Sequence, residues 1–183
     1  MPTNNSVKAA LSLIENDKSK ILGLSVGKHV NIEPGLHIPK ADAQSEPEIS
    51  FASASPEKTY LIINIDLDAP FASFSVLSPA LHWIQSDLKP TPAADGNGLT
   101  LLKPPATAPF IVNYIGPGPP PPCAPHRYLF LLYEQPEGFD AKEYAPARGK
   151  PVGISRRIRF DLDAWEKKLK LGPVVAVNYF TSN

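Results

Sequence analysis

The chain has 183 residues, 43% hydrophobic and 20% charged, a length at which one domain buries roughly 70% of the surface its unfolded form exposes. Lys plus Arg number 18 and Asp plus Glu 18, for a net charge of zero, which argues against a broad basic face for nucleic acid. A single cysteine excludes an internal disulfide, the polar first twenty residues lack the core of a secretory signal, and no apolar run approaches the length that crosses a bilayer. The expected address is therefore reducing and cytoplasmic, with peripheral membrane contact at most.

Taken in chain order, Val7, Ala10, Leu11, Ile14, Ile21 and Leu22 recur at helical spacing, which predicts an amphipathic helix over about 6–22 capped by Ser6. Short strand-like pieces follow around the turn Glu33-Pro34-Gly35. Residues 58–66, KTYLIINID, carry apolar side chains on both faces, as a central strand requires. A loop, 67–79, leads to the strand-like ALHWIQSDL at 80–88, and LTLLK and FIVNYI add two more strands around a proline-rich turn. Six prolines in the nine residues 117–125 surround Cys123 and precede the strand HRYLFLLY. The stretch 161–171 predicts a second helix stopped by Gly172, and a closing strand is expected over about 173–180. The 22 prolines favour strands joined by rigid loops, giving a mainly β fold with peripheral helices in a single domain, 1–183.

The chemistry-bearing residues gather at strand ends. Asp66 and Asp68 close one strand, His82 lies in LHWI, and His126 opens HRYLFLLY; such positions can face a cavity while the strand fixes them. The alternative is structural: Asp68 capping the Asp-Ala-Pro turn, and histidines packed with satisfied nitrogens. Asp66, His82 and His126 supply the residue types of a facial metal triad, but their spacing is no known ligand pattern, so no metal and no cofactor is expected. Neither a G-x-S-x-G elbow nor a phosphate-binding loop is present. Cys123, three residues before His126, is either a reactive thiolate or an inert filler. His29 and His37 have no chemical company, and Arg156, Arg157 and Arg159 read as a solvated strand edge.

DLDAP followed by LHWI, YIGPGPP, PHRYLFLLYEQP and PVVAVNYF resemble, in that order, the signatures of the phosphatidylethanolamine-binding protein family, and EPGLHIP and PEISF extend the likeness to the early strands. The resemblance implies a β-sandwich core of Greek-key type with an anion-accepting pocket near one end. Its ligand-binding positions would be Asp66, His82, Pro119, Pro120, His126, Tyr128 and Tyr179, with Asp68 and Arg127 as scaffold and Ala69-Pro70 cis. Phe71, Phe74 and Cys123 would form the pocket rim. Leu67 stands where the family has a proline, PPPPCAP replaces a glycine-richer run, and the loop from Phe71 to Leu77 is apolar, which suits a larger apolar ligand.

The leading expectation is thus a protein that binds an anionic or phospholipid-like small ligand, with a protease or kinase as a further partner, since the family also contains such inhibitors. The alternative is an enzyme of cyclase or isomerase type acting on an apolar metabolite, with Asp66, His82 and His126 as its acid/base residues.

Overall fold

A computed structural model of the chain describes residues 5–74, 76–94 and 99–183. Helix α1 (Asn5–Asn16) precedes strands β1 (Gly23–Ser25), β2 (Glu48–Phe51), β3 (Tyr60–Asp66), β4 (Ala80–Ala94), β5 (Thr100–Lys103), β6 (Phe110–Val112) and β7 (His126–Glu134). Helix α2 (Leu162–Leu169) and strand β8 (Val174–Ser182) close the chain. The strands form one antiparallel sheet in the order β1-β2-β5-β4-β3-β7-β8, with β6 added to β4. Its two ends nearly meet, because the Leu22 amide donates to the Val177 carbonyl and Ile38 and Thr181 are joined by the same kind of bond. The expected mainly β architecture with peripheral helices is observed.

Both faces of the sheet's centre are buried, for different reasons. On β3 and β7, Tyr60, Ile62, Tyr128, Phe130 and Leu132 point into the interior enclosed by the sheet. Leu61, Ile63, Ile65, Leu129, Leu131 and Tyr133 point outward and are covered by α1, α2 and the segment around Phe160. That double burial explains why these strands read as continuous apolar runs rather than alternating ones.

Three sequence expectations are corrected. The first helix ends at Asn16, where the Asp17 side chain accepts from the Ser19 amide and starts a separate short turn, Lys18–Lys20. Asp161 caps α2 by accepting from the Ala164 amide, but the helix stops at Lys170, in the left-handed region at φ 55°, and not at Gly172. Strand β4 continues past Leu88 through Pro90 and Pro92. Beyond Leu88 it leaves β3 and pairs with β5, and a strand with one open edge can accommodate residues that lack an N–H.

The largest departure concerns Arg157, expected in solvent and found 1% exposed. Its guanidinium donates to the carbonyls of Val152 (2.9 Å), Leu81 (3.3 Å), His82 (3.0 Å) and Asn113 (2.9 Å) and to Asn113 Oδ1 (2.7 Å). No carboxylate among the described residues pairs with it, and burial lowers its pKa. It serves as a hub that ties β4 to the chain after β6. Replacing Arg157 with Met should therefore destabilise the protein by about 3 kcal/mol or more, because several buried acceptors lose their donor at once. Urea unfolding would measure the loss; a change within about 0.5 kcal/mol would show that the hub is dispensable.

Candidate functional site

The site is built by the pairing of β3 with β7. Asp66, the last residue of β3, sits opposite Tyr128, so both side chains share the interior face, and His126, two residues before Tyr128, lies diagonally within reach of Asp66. Asp66 Oδ2 meets His126 Nδ1 at 2.8 Å, with both side chains buried. His82 arrives by another device. Between Asn64↔Trp83 and Ile65↔Leu81 the register shifts, so His82 is the extra residue of a bulge, which re-aims a side chain. Its ring meets Tyr128 edge-on with centroids 5.0 Å apart, and Tyr128 in turn stacks near His126 and on Phe180.

The two histidines are shifted in opposite directions. Burial holds His82 below its ordinary value against the opposing pull of the Ile115 carbonyl. As a neutral ring it donates from Nδ1 to that carbonyl at 2.8 Å, which leaves Nε2 as an acceptor. For His126 burial also acts against the charge, but the bond to Asp66 and the fields of Asp66 and Asp68 outweigh it and raise the pKa. Protonated His126 donates from Nδ1 to Asp66 and keeps Nε2–H as a second donor. Tyr128 is kept protonated, its pKa pushed up by burial and by Asp66.

Among the described residues two of these donors lack partners: His126 Nε2 and the Tyr128 hydroxyl are buried without a hydrogen bond. His126 also meets the Pro70 backbone and Tyr128 the Gly118 backbone, though neither His126 Nε2 nor the Tyr128 hydroxyl completes a hydrogen bond among the described residues. The lid over the site thus consists of the Asp-Ala-Pro turn and the proline loop. The turn contains the expected cis Ala69-Pro70 bond. Gln44 Nε2 donates to the Pro117 carbonyl at 3.0 Å and the Tyr114 hydroxyl to the Ala43 carbonyl at 2.9 Å, fastening the start of the proline loop. Gly116 is required there, since a Cβ would sit 2.7 Å from the Ala43 carbonyl oxygen.

Asp68 and Arg127 hold the turn to β7. The Arg127 amide and Nε donate to Asp68 Oδ2 at 2.8 and 2.9 Å, and Nη2 to Oδ1 at 2.7 Å. Burial opposes the Asp68 charge, yet the Arg127 bonds lower its pKa overall. The Asp68 amide donates to Asp66 Oδ1 at 2.8 Å, so the second acid orients the first.

The structure thus brings Asp66, His82, His126 and Tyr128 together. Pro119 is buried, whereas Pro120 faces solvent. Tyr179 is not part of the group: it follows the outward parity of β8, on the face opposite Tyr128. Phe71 and Phe74 bridge to each other on an exposed loop beyond Pro70, where Phe74 is 63% and Val76 45% exposed. Cys123 is half-buried, and its carbonyl accepts from Asn183 Nδ2 at 3.2 Å. Among the described residues no three His, Cys, Asp or Glu side chains converge as a metal site, and no helix is long and apolar enough to cross a membrane. Sequence reasoning missed Arg157, which holds the His82 carbonyl from behind; a lone arginine in a basic triplet carries no signal of burial.

The profile of the phosphatidylethanolamine-binding protein family matches residues 28–180, and the chain belongs to that family. Over 88% of its length it is 27% identical to the carboxypeptidase Y inhibitor of Saccharomyces cerevisiae, spanning 83% of that protein. It is also 27% identical, over 87% of its length, to phomoidride biosynthesis cluster protein N of Talaromyces stipitatus, spanning 82% of it. Among solved structures, carboxypeptidase Y inhibitor complexed with its cognate proteinase superposes with a TM-score of 0.72 at 22% identity, covering 100% of this chain and 98% of that one. The phosphatidylethanolamine-binding protein of Plasmodium vivax follows at 0.65 and 19%, covering 100% and 97%. These two structures establish the shared fold.

The Asp66–His126 pair has a pH signature. A folded pKa raised above the ordinary 6.5 means that the pair's contribution to stability is complete below about 6.5 and is lost as pH rises through the folded value. The stability advantage of the wild type over His126→Gln should therefore shrink between about pH 6 and pH 9. His82, shifted the other way, should remain neutral at pH 6.5 in an NMR titration of the imidazole carbons. A wild-type advantage constant across that range would remove the charged pair.

Proposed function

We propose that the protein binds a small oxyanion, of the kind carried by a phosphate or carboxylate headgroup, at Asp66, His82, His126 and Tyr128. The observation that carries this is the pair of buried donors without partners, His126 Nε2 and the Tyr128 hydroxyl. A buried unpaired donor costs about 1–3 kcal/mol, and an anionic oxygen accepting from both would relieve that cost with charge-assisted bonds. Asp66 balances the imidazolium, so the site does not require a multiply charged ligand. His82, with Nε2 left as an acceptor, suits a ligand that also offers an O–H or N–H, as hydrogen phosphate and phosphorylethanolamine do. Entry requires the Pro70 turn and the proline loop to part, and the rigidity of proline limits the entropy lost on reclosing.

Titration with inorganic phosphate and with phosphorylethanolamine, read by calorimetry and by the His126 ring signals, tests this. His126→Ala should weaken binding by about 1–3 kcal/mol, roughly tenfold or more. Unchanged affinity in a folded variant would move the site elsewhere.

A second reading, protease inhibition, is supported by likeness to carboxypeptidase Y inhibitor along nearly the whole chain. Inhibition of that carboxypeptidase by the purified protein, retained in His126→Ala, would place such an activity on the surface rather than in the pocket. The phomoidride-cluster relative and the exposed Phe71–Phe74 loop favour a biosynthetic role instead. There Asp66 and His126 would exchange a proton with an apolar substrate, and Asp66→Asn would abolish turnover.

A further inference from the structure

A cavity lies on the opposite face of β7. It encloses about 390 Å³ between α1, the Glu33–Gly35 turn and the outward side chains of β7 and β8, a volume within the usual range of small-molecule sites. Its walls are Leu11, Ile14, Pro34 and Leu67, and its polar groups are Arg127, Tyr179 and Glu15. Arg127 uses Nε and Nη2 on Asp68, which leaves Nη1 as a donor with no hydrogen-bond partner among the described residues. The Tyr179 hydroxyl is likewise without a hydrogen bond there. Gly35, at φ 87°, keeps space beside that hydroxyl, since a Cβ would sit 3.2 Å from it.

Charge decides what fits. Asp68 already neutralises Arg127, and Glu15 adds a negative group, so the cavity has two hydrogen-bond donors but no net positive charge to attract an anion. We infer that this cavity binds an uncharged amphipathic molecule, an aliphatic chain ending in a carbonyl such as a ketone or lactone, whose oxygen accepts from Arg127 Nη1 and the Tyr179 hydroxyl. The chain lies against Leu11, Ile14, Pro34 and Leu67. Such a ligand differs in charge from the oxyanion proposed for His126, and the two sites are separated by the sheet. They remain in contact through hydrogen bonds, from Arg127 to Asp68 and from the Asp68 amide to Asp66.

The test uses γ-decalactone, 2-decanone and decanoate at pH 8, followed by methyl NMR of Leu11, Ile14 and Leu67. The lactone and the ketone should bind saturably, shifting these methyls while leaving the His126 ring signals nearly unmoved, and decanoate should bind at least about tenfold more weakly. Tyr179→Phe should weaken the lactone by about three- to tenfold through loss of one donor, and Ile14→Trp, which fills the cavity, should abolish binding. Glu15→Gln should improve decanoate relative to the lactone. Absence of saturable methyl shifts, tighter binding of decanoate than of the lactone, or shifts that persist in Ile14→Trp with Tyr179→Phe unaffected would each overturn the assignment. Phosphate binding at His126 is read on separate signals, so failure of one site does not conceal the other.

Discussion

The register of β3 against β7 is the constraint on which the remainder depends. Seven consecutive pairs, from Tyr60↔Glu134 to Asp66↔Tyr128, run without a bulge. In a half-buried sheet the alternation of apolar and polar residues pins such a register, because a slip of one residue turns the apolar face to water. Here both faces are apolar and buried, so hydrophobicity alone discriminates weakly between registers. The buried polar groups discriminate strongly. Asn64 Nδ2 donates to the Leu129 carbonyl at 3.0 Å, Asp66 meets His126, and Asp68 clamps Arg127. A slip would strand several of these groups in the core, at a cost of several kcal/mol. The residues that form the candidate site therefore also specify the fold's central pairing.

That pairing makes β7 a two-sided element. His126 and Tyr128 face the interior with the two buried donors, and Arg127 between them faces outward to Asp68 and the cavity under α1. Because successive residues of a strand point to opposite faces, the three-residue signature His-Arg-Tyr serves two chemically different surfaces. Asp66 and Asp68, two apart on the turn, divide in a related way: one takes the histidine and the other the arginine. The amide of Asp68 bonded to Asp66 joins the two halves.

Support from behind comes from groups with no contact to a reacting or binding atom. Arg157 gathers the carbonyls of Leu81, His82 and Asn113, which fixes the bulge that aims His82. The Ile115 carbonyl fixes the ring's tautomer. Gln44, Tyr114 and Gly116 hold the proline loop over Tyr128. A buried guanidinium satisfied by carbonyls rather than by a carboxylate remains positively charged in the interior, and it lies close enough to His82 to disfavour a second charge there.

By itself the sequence determined the family and the mainly β architecture, because ordered motifs and apolar runs are local properties of the chain, and it named Asp66, His82, His126 and Tyr128, which the fold brings side by side. It also indicated both helices, though not where they end, since Asp161 as a cap and the spacing of Val7, Ala10, Leu11 and Ile14 act within a few residues. Four matters were decided by tertiary structure. Arg157 is buried because two distant segments, at Leu81–His82 and at Asn113, join nearby Val152 in supplying its acceptors, and nothing near Arg156 and Arg159 distinguishes it. Tyr179 falls on the outward face because the parity of β8 is set by pairing with β7, and a strand apolar on both sides does not declare its parity. Strand β4 runs on through its prolines because β5 takes over as its partner. The donors of His126 and Tyr128 have no partner among the described residues where the Asp-Ala-Pro turn and the proline loop meet beside them; contact of that kind exists only once the chain is folded.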